Sequence, residues 1–299
     1  MCAMGLSGAT AMMTNTRPIV LVGVAILLVW YAAAIVLNAP LASAEISRAG
    51  EHVSTWLMID HAVNLGRPIL PTPDRIAVEI GTTVFGFAPT DPHSLLYHVG
   101  VTAQTTLIGF VLGSVVGVLL AIGIVQVKVL DASLMPWIVA SQTVPILAIA
   151  PMAVVILGNI GLVGVLPKAM ISAYLSFFPV TIGMVKGLRS TDRSVAELMR
   201  TYTATGTQVF WKVRLPSSVP FLFSSLKVGI AVSTVGAIVA ELPTGGTAGL
   251  GARLLTGSYY GQTMQIWSAL VMAAALSHAL VFTVTSIESL VRRTMGQQP

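Results

Sequence analysis

The sequence predicts an all-α integral membrane protein, a bundle of six membrane-spanning helices with a short pair of helices between the fourth and fifth spans. The chain has 299 residues, of which 55% are hydrophobic and only 9% are charged, whereas soluble domains carry about 25% charged residues. Its mean hydropathy is +0.86, and six apolar stretches are each long enough to cross the ~30 Å hydrocarbon core of a bilayer. A polar segment with two helix-start signals separates the fourth and fifth stretches.

The composition also narrows the function. Cys2 is the single cysteine, which excludes an internal disulfide and a multi-cysteine metal site. The sequence contains no Gly-Lys-Ser/Thr phosphate loop, so ATP would have to bind to another chain. The excess of 16 Lys and Arg over 11 Asp and Glu is typical of a topology signal rather than of nucleic-acid binding. We therefore expect no catalytic site, cofactor, metal or nucleic-acid partner, and contact with membrane lipids.

The first part of the chain predicts one span followed by an outer segment. Residues 1–17 are expected to form a cytoplasmic tail and residues 18–38 the first span. Ala42-Ser43-Ala44 resembles a signal-peptidase site, but the apolar run is longer than the ~7–15 residues of a signal core, so we expect the span to be retained. Within the extracytoplasmic segment 39–94, Pro71–Asp74 begins a helix that we place on the bilayer surface. Its apolar side consists of Ile76, Ala77, Ile80 and Val84.

Residues 95–293 form the core with the other five spans, at about 95–125, 132–157, 163–187, 221–242 and 266–291. Glycines at positions 109, 113 and 117 predict close helix packing in the second span. The third span holds three prolines, which predict a kinked or broken helix, and a break inside the bilayer is tolerated only against protein or a water-filled cavity. The residues near this break that we predict to line a polar pathway are Ser141, Gln142 and Thr143.

Basic residues predict the orientation of the chain. With the N-terminus inside, ten Lys and Arg fall on the inner side and five on the outer side, as expected for a cytoplasmic polar segment. The inner ones are Arg17, Lys128, Lys186, Arg189, Arg193, Arg200, Lys212, Arg214, Arg292 and Arg293. Residues 294–299 are then a cytoplasmic tail.

The polar segment, residues 189–217, predicts two short helices. Ser194 with Glu197 has the spacing of a capping box, and Thr205 with Gln208 repeats it. The first helix has an apolar side formed by Val195, Leu198, Met199 and Tyr202. The second is expected to end at Pro216. Two-turn helices are marginal in water, so another protein is expected to pack on them.

The fifth span contains two ionisable residues, Lys227 and Glu241, which are candidates for a pathway or gate. For Lys227 the alternative is a side chain that reaches the lipid headgroups, and for Glu241 it is a position at the membrane interface. His278 in the sixth span is expected to be a packing residue.

The polar segment resembles the cytoplasmic loop of permease subunits of ABC importers, whose motif reads Glu-Ala-Ala, a following Gly, and Ile-x-Leu-Pro. Glu197 takes the Glu position, Val213 the Ile position, and Leu215-Pro216 the Leu-Pro positions. The departures from the motif are Leu198 and Met199 in place of the two alanines, Thr203 in place of the glycine, and Gly206 three residues late.

Other stretches are similar to the nitrate, sulfonate and taurine branch of these permeases. They are PILAIAPMAVVILGNIG at 145–161, FFPVTIGMVKGL at 177–188, SLKVGIAVSTVGAIVAEL at 225–242 and the GLGARLLTGSYYG loop. The resemblance covers about residues 70–293 and does not identify the substrate.

The resemblance implies the type I importer permease fold, in the inner membrane of a bacterium. Two permease copies, most simply a homodimer, would form the pathway, and a solute-binding protein outside would deliver the solute. ABC ATPase subunits would bind ATP and Mg and contact a coupling helix in the polar segment. The coupling residues it implies are Glu197, Leu198, Met199, Arg200, Tyr202, Thr203, Gly206, Leu215 and Pro216.

Two other functions are compatible with the residues alone. In an ion-coupled secondary transporter, Lys227, Glu241 and His278 would relay protons. A structural or assembly membrane protein would have no pathway.

Overall fold

The computed structural model describes residues 6–50, 52, 54–243 and 248–295, and the regular structure within these ranges is helical. The helices are α1 (Leu6–Arg48), α2 (Thr55–Asn64), α3 (Pro73–Phe85), α4 (Leu95–Gln126), α5 (Lys128–Ser141), α6 (Ile146–Asn159), α7 (Val165–Arg189), α8 (Arg193–Thr201), α9 (Gly206–Val209), a π-helical turn (Phe210–Arg214), α10 (Leu215–Glu241), α11 (Leu250–Tyr259) and α12 (Thr263–Thr294). Residues 1–5 of the predicted N-terminal tail and residues 296–299 of the predicted C-terminal tail lie outside the described residues.

Five helices, α1, α4, α7, α10 and α12, are long and apolar enough to cross a membrane. The pair α5 and α6 would make a sixth span, bent by 101° at its break. This agrees with the predicted six-span architecture and with the predicted interruption of the third span. The chain divides into two compact units, one formed by the chain up to Gly86 with Thr256–Ser268, the other by Phe87–Leu255 with the chain from Ala269 onward.

In the first unit, α1 is longer than the predicted first span. It begins at Leu6, so part of the predicted tail is helical, whereas the stretch of α1 that is apolar enough to cross a membrane begins at Pro18. Ala and Met before Pro18 favour this helical conformation. At the other end α1 continues without interruption through the suspected cleavage site, where Ala42 is fully buried against Ala62 and Leu65.

The Asn38 side chain of α1 connects the outer segment to this helix through hydrogen bonds. This side chain is 1% exposed, and its amide donates to the carbonyls of Ala62 at 3.0 Å and Leu70 at 2.9 Å. Its carbonyl oxygen accepts from the backbone N–H groups of Ile69 at 2.8 Å and Leu70 at 3.3 Å. The outer segment is therefore built on α1.

Replacing Asn38 with alanine is expected to destabilise this unit by roughly 2 kcal/mol or more, because each buried backbone group left without a partner costs about 1–3 kcal/mol. Thermal unfolding of the purified protein in detergent measures the loss. Asn64→Ala is the matched control, since that asparagine is exposed and its side-chain amide donates to Asp60 Oδ1 at 3.1 Å. An equal midpoint for the two variants would contradict the role of Asn38.

In the second unit, α4 packs directly against α7 through the predicted glycines. A Cβ atom would lie 2.7 Å from the Ala169 carbonyl oxygen at Gly109, 2.6 Å from that of Ala173 at Gly113, and 2.8 Å from that of Phe177 at Gly117. These distances are too short for any side chain, so the backbones touch as predicted.

Small polar side chains connect the same helices to α10. The Ser172 and Ser233 hydroxyls are 2.6 Å apart, and the Ser233 hydroxyl donates to the Thr106 carbonyl oxygen at 3.0 Å. Such hydrogen bonds satisfy polar groups that have no access to water inside a bilayer. The three helices α4, α7 and α10 thus form the centre of the unit, which carries the cytoplasmic segment between α7 and α10.

Candidate functional site

The cytoplasmic segment begins with α8, and its cap differs from the prediction. The N-cap is Asp192, whose carboxylate accepts from the Ser194 N–H at 3.1 Å. The predicted capping box at Ser194 and Glu197 is therefore wrong. An aspartate two residues earlier supplies the acceptor, and its negative charge also suits the positive end of the helix dipole.

The apolar side of α8 is uncovered. Leu198 is 54% exposed and Tyr202, at the C-terminal cap, is 74% exposed. Val195 is exposed on the same side, and Met199 is half-buried. Glu197 and Arg200 lie on the opposite side, because each residue advances by about 100° around a helix. The helix thus presents an apolar strip and a charged strip in two different directions.

Thr203 ends α8 in the conformation that the family motif assigns to glycine. Among the described residues it is the one non-glycine residue with a positive φ, +52°. The Ala204 N–H then donates to the Met199 carbonyl oxygen at 3.0 Å, which closes the end of the helix. Thr203, which takes the glycine position of the motif, therefore forms the tight turn in place of glycine.

The second helix start was predicted correctly. The Thr205 N–H donates to Gln208 Oε1 at 2.9 Å, and the Gln208 N–H donates to Thr205 Oγ1 at 3.4 Å. Gly206 is the first residue of the helix that follows.

The expectation that this helix ends at Pro216 is wrong. The chain continues through a π-turn, Phe210–Arg214, directly into α10, which begins at Leu215. The Leu215 N–H donates to the carbonyl oxygen of Phe210, five residues back. The wider turn changes the hydrogen-bond register just before Pro216, where the missing N–H falls in the first turn of α10 and is tolerated. Residues 206–241 are therefore one connected helical element.

A cleft of about 460 Å³ lies beside this element. Its walls are the last turns of α4, from Ile122 to Gln126, and residues 206–215, including Trp211 and Arg214. The segment therefore leaves space next to α4, and a displacement of the segment does not require the helix core to deform.

The break between α5 and α6 carries the predicted pathway residues. Gln142 and Thr143 are exposed, and Ser141 is half-buried. The Ser141 carbonyl oxygen, freed by the break, accepts from the Tyr174 hydroxyl of α7 at 2.5 Å. The break thus exposes an amide and a hydroxyl side chain, with no charged group among these three residues.

Lys227 is paired with an acid that the sequence analysis missed. Its ammonium lies 2.5 Å from Glu288 Oε2 of α12, and the Arg292 guanidinium lies 2.6 Å from Glu288 Oε1. The Glu288 side chain is only 10% exposed. The sequence did contain a sign of this ion pair, because Glu288 is an acid within an apolar helix and lies one turn before Arg292.

Replacing Glu288 alone is expected to destabilise the protein more than replacing Lys227 and Glu288 together. Glu288→Gln leaves Lys227 without its counter-charge, with an expected loss of about 3 kcal/mol, whereas Lys227→Met combined with Glu288→Leu is expected to be nearly neutral. Thermal unfolding of the two variants decides the point. Equal loss of stability in both would contradict a cross-helix ion pair.

Glu241 is fully buried at the C-terminal end of α10. Its carboxylate accepts from the Thr102 hydroxyl at 2.9 and 3.0 Å and from the Gly251 N–H at 2.8 Å. It lies fourteen residues from Lys227, or about 21 Å along the helix axis, and His278 is exposed. The structure therefore does not bring together the three residues of the hypothetical proton relay.

Within the described residues, no group of three or more His, Cys, Asp or Glu side chains could hold a metal ion. The features that remain for function are the exposed side of α8, the break in the third span, and the buried network around Glu241.

Comparison with known proteins identifies similarity to membrane components of transport systems. Residues 113–297 match the family model described as binding-protein-dependent transport system inner membrane component. A probable ABC transporter permease protein of Haemophilus influenzae is 28% identical over 229 residues, 77% of this chain and 88% of the relative. The formylaminopyrimidine transport permease protein of Halalkalibacterium halodurans is 30% identical over 191 residues, 62% of this chain and 70% of the relative.

A solved structure has the same fold. The crystal structure of an amino acid ABC transporter with histidines matches with a TM-score of 0.51 and 15% identity. The match covers 74% of this chain and 96% of the other.

Proposed function

The chain belongs to the family of binding-protein-dependent transport system inner membrane components, and from that premise we propose that α8 couples solute import to ATP hydrolysis on a separate subunit. The protein is a multi-pass permease subunit of a bacterial ABC importer in the inner membrane. Its family implies ABC ATPase subunits and a solute-binding protein as partners.

The exposed strip of α8 supports this role. Val195, Leu198 and Tyr202 are exposed although they are apolar or aromatic, and burying one large apolar side chain is worth roughly 1.5–3 kcal/mol. A partner with an apolar cleft would gain that free energy at several side chains. Glu197 and Arg200, on the other side of the helix, would then meet the polar rim of the cleft.

The connection from α8 to the membrane supports the transmission of motion. From Gly206 to Glu241 the chain is one helical element of 36 residues, so a displacement at the cytoplasmic end is carried along the fifth span. The cleft beside residues 206–215 leaves space for such a displacement. Coupling then means that ATP and solute bias the same two-state element.

The break between α5 and α6 is where we place the pathway, between two copies of this chain. Irregular backbone at membrane depth is tolerated only against protein or a wet cavity. In the single chain Gln142, Thr143 and neighbouring Val144 are exposed. A second copy facing this break would provide the protein wall and enclose water against the polar side chains. The homodimer follows as the simplest arrangement.

The uncharged lining suits a small hydrogen-bonding solute. The amide of Gln142 and the hydroxyls of Ser141 and Thr143 donate and accept without a fixed charge. A solute of the formylaminopyrimidine type, named for one relative, is compatible with such groups.

Reconstitution tests the proposed function. The chain is purified with its ATPase partner, placed in lipid vesicles with the solute-binding protein outside, and uptake is measured with and without ATP inside. We expect uptake that needs both ATP and the binding protein, and we expect Glu197→Lys or Tyr202→Ala to uncouple uptake from hydrolysis while the complex stays assembled. Uptake by the chain alone, driven by an ion gradient, would favour the secondary transporter instead.

A further inference from the structure

Three consecutive backbone N–H groups at the beginning of α11 each donate to a buried side chain of another helix. The Gly249 N–H donates to His98 Nδ1 at 3.0 Å, the Leu250 N–H to Thr102 Oγ1 at 2.9 Å, and the Gly251 N–H to Glu241 Oε2 at 2.8 Å. The first N–H groups of a helix have no partner within the helix. Here α4 and α10 supply all three partners.

The three acceptors form one connected network. The Thr102 hydroxyl accepts from Leu250 and donates to the Glu241 carboxylate at 2.9 Å. Because His98 Nδ1 accepts a hydrogen bond, the ring is neutral with its proton on Nε2, which donates to the Pro92 carbonyl oxygen at 2.9 Å. His98, Thr102 and Glu241 are 2%, 0% and 0% exposed, so the network is closed to water in this state.

Glycine is required at two of the three positions. Gly249 has φ +116°, and a Cβ there would lie 2.5 Å from Glu241 Oε2. At Gly251 a Cβ would lie 2.7 Å from the Cβ of Glu241. The backbone therefore approaches the carboxylate as closely as sterics allow, which fixes residues 249–251 on α4 and α10.

This network lies at the outer end of the second unit. Leu215–Glu241 contains 27 residues, about 40 Å of helix, which exceeds the ~30 Å hydrocarbon core. With Leu215 at the cytoplasmic side, Glu241 reaches the outer boundary, where water is available.

The hydrogen bonds that hold residues 249–251 can be broken and formed again repeatedly. If residues 249–251 move away, the carboxylate, hydroxyl and imidazole become hydrated, so hydrogen bonds to water replace those that are lost within the protein. Of residues 249–251 only Leu250 carries a side chain, which is fully buried and would be uncovered as well. Gly249 provides the backbone freedom for such a movement.

We propose that His98, Thr102 and Glu241 form an outer latch, which holds the backbone of residues 249–251 and must release it in each transport cycle for solute to enter. The three side chains are positioning residues, acting on the entrance through the segment that they hold. The proposal rests on the proposed function, since it assigns a step of the same transport cycle.

Locking the latch covalently tests this step. In a background with Cys2→Ser, Thr102→Cys and Leu250→Cys replace two residues whose Oγ1 and N atoms are 2.9 Å apart. We expect oxidation of the double variant in the reconstituted complex to lower ATP-driven uptake at least tenfold below the rate of the same variant kept reduced, which is the reference because Thr102 is itself a latch residue. Uptake at the rate of the oxidised single variants, with the disulfide formed in most molecules by mass spectrometry, would overturn the proposal.

A second variant tests the proposal without a disulfide. Gly251→Ala prevents residues 249–251 from seating against Glu241, and Gly100→Ala, where no atom lies within 4 Å of the added Cβ, is the control. We expect faster hydrogen exchange at residues 249–251 together with ATP hydrolysis that no longer depends on the binding protein. Faster exchange with hydrolysis and uptake unchanged would overturn the latch. Absence of ATP-driven uptake in the unsubstituted complex would instead refute the proposed function.

Discussion

Replacing Leu198 with aspartate is expected to lower ATP-driven uptake by at least tenfold while the protein remains folded in the membrane. The side chain is more than half exposed in the isolated chain, so the substitution costs little in the fold. In a complex it would place a charge in an apolar cleft and remove roughly 1.5–3 kcal/mol of burial, and each 1.4 kcal/mol corresponds to about tenfold in affinity. Uptake into vesicles and co-purification of the ATPase subunit measure the effect.

The matched control for this variant is Thr201→Asp, which introduces the same charge about 60° around α8 from Leu198, beyond the edge of the apolar strip. Thr201 is exposed and belongs to the strip that also holds Glu197. We expect it to retain most of the uptake. If the two aspartate variants behave alike, the apolar strip is not the part of α8 that docks on the partner.

Gly113→Leu is expected to prevent assembly of the second unit. A Cβ at this position would lie 2.6 Å from the Ala173 carbonyl oxygen of α7, and backbone cannot move aside as a flexible side chain does. Overpacking ordinarily costs about 1–3 kcal/mol, and a clash with backbone at a helix crossing is expected to exceed that range. The yield of monodisperse protein and its thermal midpoint measure the loss.

Gly100→Leu provides the comparison within the same helix. Gly100 is exposed, and nothing lies within 4 Å of an added Cβ. This variant is expected to fold with a midpoint close to that of the unsubstituted protein. Equal damage at both positions would mean that glycine matters for the conformation of α4 rather than for its contact with α7.

The sequence was sufficient for the spans because length and hydropathy decide them independently of tertiary structure. The same holds for the capping box at Thr205 and for the glycines of α4, whose spacing alone reveals a contact face. The break near Gln142 was also predictable, because three prolines in the third span weaken a continuous helix there.

Features that depend on distant residues could not be predicted. Glu241 was recognised as a candidate, but Thr102 is 139 residues away in the chain, and no local pattern connects them. Glu288 was not identified as the partner of Lys227 because the two residues lie on different helices. The continuation of α10 through Pro216 depends on the π-turn, which propensity alone does not indicate.

The cap of α8 illustrates a local competition. Asp192 and Ser194 are both good N-cap residues, and the predicted box at Ser194 had a suitable Glu197. The helix begins two residues earlier because the Asp192 carboxylate accepts from the Ser194 N–H.

A photo-reactive amino acid at Tyr202 tests most directly whether α8 docks on an ATPase subunit. The same amino acid at Tyr260, which is 68% exposed on the predicted outer side, serves as the control. Illumination of the complex in membranes is predicted to link position 202, and not position 260, to the ATPase subunit. A product at position 260 alone, or at position 202 with lipid or the solute-binding protein only, would contradict the coupling role of this segment.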